Sequence, residues 1–178
     1  MSTRTRYVAL LRAVNVGGRR VAMADIPHLF ESLGHADVTT YLQSGNVFFT
    51  SGADEEPTRR ALEIELAERL GFTIDVVLRR ASELAAAIAR NPFPGAAAEP
   101  TTLHVAFLVA APTGEAVAAV EPDRSPPDRF EVRGREIFLN YPHGSGRSKL
   151  TLDWLERQLA VRGTARNWNT VTAIADRL

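Results

Sequence analysis

The sequence predicts an α+β protein built from two split-βαβ halves, each ordered βαββαβ with a further helix behind it. Three observations predict it. Two continuous apolar runs, YVALL at 7–11 and LHVAFLV at 103–109, open the two halves of the chain. Each run is followed by the same succession: a helical period, two strand-like runs around a turn signal, a second helical period and a short strand. Between the successions lies NPFPGAAAEP at 91–100, which has the composition of a linker.

In the first half, YVALL shows no apolar–polar alternation. A central strand buried on both faces has that look, and the first strand of a split-βαβ unit is central. A helix follows over 26–33, with Ile26, Leu29, Phe30 and Leu33 on one face and Gly34 placed to end it. DVTTYL and NVFFT are strands joined at the hairpin signal QSG. Residues 57–70 form a helix with Leu62, Leu66 and Leu70 on one stripe and Gly71 after it. TIDVVL is a strand. SELAAAIAR is a helix that stops at Asn91-Pro92, because the residue before a proline avoids the helical region.

The second half repeats these signals. LHVAFLV is the central strand, TGEAVAAV a short helix, and RFEV with EIFLNY a hairpin turning at Arg133-Gly134. SKLTLDWLERQLA carries Leu152, Leu155 and Leu159 on one face, with Gly163 as its stop. TAR is a short strand, and NTVTAIADRL a last helix with Asn169 as its N-cap. The predicted domains are two ferredoxin-like halves, 1–91 and 101–178, with 92–100 between them.

Composition narrows the function. Hydrophobic residues are 45% and charged residues 24% of the 178, the balance of a folded domain. Lys+Arg and Asp+Glu are 21 each, so no overall field draws the chain to nucleic acid or membrane. From Arg133 onward eight basic residues face four acidic ones, a mild local bias. Cysteine is absent, which excludes disulfides and thiolate chemistry and suits a cytoplasmic address. No stretch approaches the roughly 18 apolar residues of a membrane helix. His28, His35, His104 and His143 lie at no metal-ligand spacing and fall on surface or cap positions. No cofactor is expected.

Four stretches, LLRAVNVGG, TYLQSGNVFF, GRSKLTLDWLER and TARNWNTV, resemble the bacterial family known as domain of unknown function 1697. The resemblance implies an α+β protein and no activity. Ala13 departs from it, standing where the pattern has Gly. The polar positions it marks are Arg12, Asn15, Gly17, Gly18, Gln43, Ser44, Gly45 and Asn46, and later Ser148, Lys149, Arg166, Asn167, Trp168 and Asn169.

Topology groups these positions. The exit of the first strand and the hairpin that follows share one end of an antiparallel split-βαβ sheet, so NVGG and QSGN should be neighbours. In the second half YPHGSGRSK shares an end with RNWN, and halves stacked with opposite polarity would merge the two clusters into a cleft. HGSGRSK, entering a helix, has the glycines, serine and Lys149 of an anion cradle, although not the spacing of a P-loop. Alternatively it is a glycine turn before a capped helix. NVGGRR is a second turn able to present N–H groups. Arg12, ending a buried strand, needs a carboxylate, carbonyl or ligand anion. Trp168 with its flanking amides reads either as a stacking platform or as a lock packed on the sheet.

The marked set holds no Asp, Glu or His to act as a general base. Arginines, amides, glycines and an indole make a recognition site. The preferred reading is a module that binds an anionic, nucleotide-like or nucleic-acid ligand between the halves. Two alternatives stand beside it: an enzyme acting on a phosphorylated or acidic small molecule, and a structural protein acting through a partner or an oligomer.

Overall fold

A computed structural model describes residues 4–12 and 20–178. Among them are eight strands in two four-stranded antiparallel sheets and six α-helices, so the protein is a mixed α+β fold in two compact units. The first unit comprises Met1–Leu84 with Ile174–Leu178, and the second Ala85–Ala173.

The first unit runs β1 (Thr5–Leu11), α1 (Ile26–Ser32), β2 (Ala36–Tyr41), β3 (Asn46–Ser51), α2 (Glu55–Leu70), β4 (Val76–Arg79) and the start of α3 (Ala81–Ala89). Its sheet is ordered β2-β3-β1-β4, which puts β1 in the interior. One face of β1, with Tyr7, Ala9 and Leu11, joins Val47, Phe49, Val76 and Leu78 under Ile26, Phe30, Leu62 and Leu66. Val8, Leu10, Phe48 and Val77, on the other face, are equally buried. Burial on both faces is why the strand reads as an unbroken apolar run. Each such side chain contributes about 1.5–3 kcal/mol by leaving water.

The second unit runs β5 (Leu103–Leu108), α4 (Gly114–Ala119), β6 (Arg129–Arg133), β7 (Glu136–Asn140), α5 (Leu152–Leu159) and β8 (Gly163–Asn167), then α6 (Trp168–Ala175). The sheet order is β6-β7-β5-β8, with β5 interior. Ala106, Leu108, Ile137 and Leu139 form a core with Val120, Leu155 and Leu159. Within the stretch read as a linker, Pro94–Ala98 wind into a 3₁₀ helix.

Two helix ends differ from expectation. The stop of α5 is Ala160, in the left-handed region at φ 54°, and Gly163 lies in β8 instead. A Cβ at Gly163 would sit 2.5 Å from the Phe107 carbonyl oxygen and 2.9 Å from Leu108 Cδ2. The glycine serves close approach of two strands, not helix termination. At α6 the cap is Asn167, whose Oδ1 accepts from the Thr170 N–H at 2.9 Å, not Asn169. The helix therefore begins on the indole rather than after it. No helix among the described residues is long and apolar enough to cross a membrane.

Candidate functional site

At the exit of β1, the Leu11 N–H donates to the Gly45 carbonyl at 2.8 Å, and the Arg12 N–H to that of Asp75 at 2.9 Å. Arg12 and the 42–45 hairpin thus share one end of the first sheet, as topology required. Gln43 and Ser44 are exposed there. Asn46 is wholly buried: its Nδ2 donates to the Tyr41 carbonyl at 2.8 Å and to Ser44 Oγ at 3.0 Å, which closes the hairpin from within. Asn46 and Ser44 are engaged in tying the turn. Ala13, Asn15, Gly17 and Gly18 lie outside the described residues, as does most of the NVGGRR turn.

In the second unit, β7 and β8 both end beside the start of β5, where Leu103 pairs with Asn140 and His104 with Asn167. From that end the loop 141–151 leads to α5. Its base is pinned by Tyr141, whose hydroxyl donates to the Leu150 carbonyl at 2.8 Å. Burial, with a smaller push from Asp128, raises this hydroxyl to about 12, so it keeps its proton as a donor. The loop is tied to residues 121–128 by Ser125, whose Oγ accepts from the Lys149 N–H at 3.1 Å and lies 3.4 Å from Ser148 Oγ. Ser148 Oγ in turn accepts from the Leu150 N–H at 3.0 Å.

The expectation that HGSGRSK opens directly on a helix N-terminus is corrected here. Thr151 caps α5, accepting from the Trp154 N–H at 3.2 Å, and Lys149 stands outside the helix on an exposed turn. The loop presents donors of another kind. Gly144 N–H and Ser148 N–H are used within the loop, by the Tyr141 and Ser145 carbonyls. The intervening N–H groups of Ser145, Gly146 and Arg147 have no acceptor among the described residues. Gly144 adopts φ 84°, a left-handed step that lets the exposed loop turn here. Beside them a depression of 470 Å³ is lined by Ser125, Asp128, His143, Arg147 and Ser148 among others.

Of these, Ser125, Asp128, His143 and Arg147 were not among the expected site residues. Arg147 and His143 stand within the HGSGRSK stretch itself. Ser125 lies far away in sequence, and RSPPD carries no signal that it would meet that loop.

The RNWN motif resolves into separate duties. Arg166 is buried, and its Nη1 donates to Thr164 Oγ1 at 2.8 Å and to the Ala165 carbonyl at 2.9 Å. Desolvation brings the guanidinium down to about 10, so it remains charged near neutrality. Asn167 caps the helix. Trp168 is 8% exposed, the state expected of a lock rather than of an open platform. Asn169 faces solvent.

Two histidines also depart from expectation. His35 packs against Phe49 with ring centroids 4.9 Å apart, and His104 against Tyr141 at 5.4 Å. His35 Nε2 and His104 Nδ1 are buried without a hydrogen-bond partner, and burial lowers both imidazoles from their ordinary value. Both side chains are half-buried rather than exposed. Among the described residues, no cluster of three or more His, Cys, Asp or Glu is placed to hold a metal ion.

Among curated proteins nothing matches the chain. Among solved structures, it is similar to the conserved bacterial protein SP0830 from Streptococcus pneumoniae, at 23% identity and a TM-score of 0.75, covering 99% of each chain. That likeness shows a shared fold. The family profile that matches spans residues 4–138, so LLRAVNVGG and TYLQSGNVFF fall inside it, whereas GRSKLTLDWLER and TARNWNTV lie beyond. By that match the chain belongs to the family described as protein of unknown function, DUF1697.

Proposed function

We propose that the protein is a binding module for a phosphate-bearing anion, seated in the 141–151 loop of the second unit. The observation that carries this reading is the run of three N–H groups, Ser145 to Arg147, that have no acceptor among the described residues. Such groups only donate, so they select an acceptor-rich ligand over a cation. Arg147 adds charge and a planar fork suited to phosphate, and the Ser125 hydroxyl adds an adjustable donor. Asp128 is a carboxylate in the same lining; it favours a ligand whose charge is concentrated toward the N–H side. A cysteine-free chain with such a site suits a cytoplasmic setting.

The scaffold of this reading is a duplicated ferredoxin-like unit. Matching register supports it. Val8 pairs with both Phe48 and Arg79, and Val105 pairs with both Phe138 and Arg166. Both arginines are buried, and each donates Nη1 back to the carbonyl of the residue before it.

Calorimetric titration with pyrophosphate tests the site. The expected result is saturable binding that weakens with salt, and that Arg147→Ala weakens about tenfold or more, since a hydrogen bond to a charged group is worth about 1.5–3 kcal/mol. Equal, unsaturable responses of both proteins to pyrophosphate and chloride would overturn it.

A further inference from the structure

Beside the loop stands a feature that the anion reading does not use. Trp154, in the first turn of α5, packs part of its ring against the second unit's core, and the Arg124 guanidinium lies over that ring at 5.1 Å from its centroid. Arg124 is 39% exposed, and its nearest carboxylate, Glu121, is 3.9 Å away, at the limit of an ion pair. The indole therefore contacts a guanidinium that is still partly open to solvent. Arg124 directly precedes Ser125, the residue whose hydroxyl ties the 141–151 loop. Shelf and loop are thus joined through two adjacent residues, Arg124 over the ring and Ser125 on the loop.

We infer that the Arg124–Trp154 pair is a stacking shelf for a nucleobase, and that the ligand of this site is a nucleoside phosphate. The inference rests on the anion reading above and names its substrate class. A guanidinium plane accepts a base on its open face as an aromatic ring does, and the positive charge strengthens contact with the π-system. The ring beneath removes most of the rotamer freedom that such contact would otherwise cost. The phosphate would occupy the N–H groups of Ser145 to Arg147, and the sugar would span the gap. The pair reads no base edge, so purine and pyrimidine are both accepted, with the larger ring preferred.

The test compares three ligands, inorganic phosphate, ribose 5-phosphate and AMP, on the wild-type protein and on Arg124→Ala by calorimetry. The exposed position of Arg124 keeps the variant foldable, and a thermal melt checks it. AMP is expected to bind about tenfold more tightly than ribose 5-phosphate, and Arg124→Ala to erase that difference while leaving ribose 5-phosphate unchanged. A 5′-phosphorylated oligoadenylate run alongside AMP separates a strand end from a free nucleotide; preference for either carries the same chemistry. Equal binding of AMP and ribose 5-phosphate to the wild type would remove the shelf and leave the anion site standing. An AMP advantage that survives Arg124→Ala would also remove it. Failure of all three ligands to bind would remove both.

Discussion

The two units share one strand order and the register of their interior strands, yet they lengthen opposite connections. In the first, the long links are at the exit of its central strand: residues 12–25 between β1 and α1, and the hairpin 42–45. At the other end its links are short, 33–35 and 52–54. The second unit inverts this. The links at the exit of β5 are residues 109–113 and the tight turn 134–135, while 120–128 and 141–151 extend from the far end. The third strand begins on a buried polar residue in each: Asn46, closing its own hairpin, and Glu136, reached by Arg90 Nη2 at 3.1 Å. Strand pairing is set by the apolar faces and leaves little room for change. Loops lie outside that constraint, and each unit has used a different end of the same sheet for its polar residues.

The largest test of the comparison is at the residue after the last strand. In the first unit α3 starts on exposed Ala81, and the Arg80 N–H is held by the Glu83 carboxylate at 2.8 Å. In the second, α6 starts on buried Trp168, and it is Asn167 that accepts from Thr170. The two ends use opposite halves of a capping box. Because only the second adds a buried indole, Trp168→Ala should cost roughly 3–5 kcal/mol of folding stability. Ala81→Ser should change it by no more than about 0.5 kcal/mol. Denaturant titration of both variants decides; a Trp168→Ala protein within 1 kcal/mol of wild type, on the order of a surface change, would mean the ring is not a lock.

The same contrast shows what could be read from sequence. The interior strands were legible because double burial writes itself as an unbroken apolar run, in YVALL and LHVAFLV alike. Hairpins were legible from their turn residues. Gly163 misled because a glycine after a helical stripe looks like a stop, whereas its reason is the Phe107 carbonyl across the sheet, a contact with no local trace. Asn169 misled because nothing local separates it from Asn167 as a cap. Of the marked polar residues, Asn46, Arg166 and Asn167 are engaged within the fold. Ser125 was invisible, since it joins the 141–151 loop only in three dimensions.

A second test, of middle size, uses that glycine. Val76 and Gly163 hold matching places, opposite Leu11 and Leu108 at the exits of the central strands. The first unit has room for a side chain there and the second has none. Gly163→Ala should therefore cost about 1–3 kcal/mol through overpacking. Urea unfolding measures this. An unchanged midpoint would show that β5 and β8 can separate to admit a methyl group, and that the two edges are interchangeable.

The smallest effect is a pH dependence shared by both units, one half-buried histidine in each. His35 lies among Phe30 and Phe49, and His104 against Tyr141. Burial favours the neutral ring, so both titrate in the folded state below the unfolded value near 6.5. Above that value neither state binds the proton, and the stability is fully present. As pH falls below it, the unfolded chain takes up protons that the folded one refuses, and stability declines until the lower folded value is passed. Glu56, held down to about 2 by hydrogen bonds from Arg59 and Arg60, titrates well below this window and does not obscure it. Both rings keep some contact with solvent, which holds the desolvation below that of a fully buried group. Thermal melts across about pH 7.5 to 5, a range that brackets the free imidazole value, should show the midpoint falling. His35→Phe should remove part of the fall and His104→Phe another part. If only one substitution flattens the profile, the two units differ in their cores as well as in their loops; a profile already flat in the wild type would show that the unfolded chain holds its histidines no differently from the folded one.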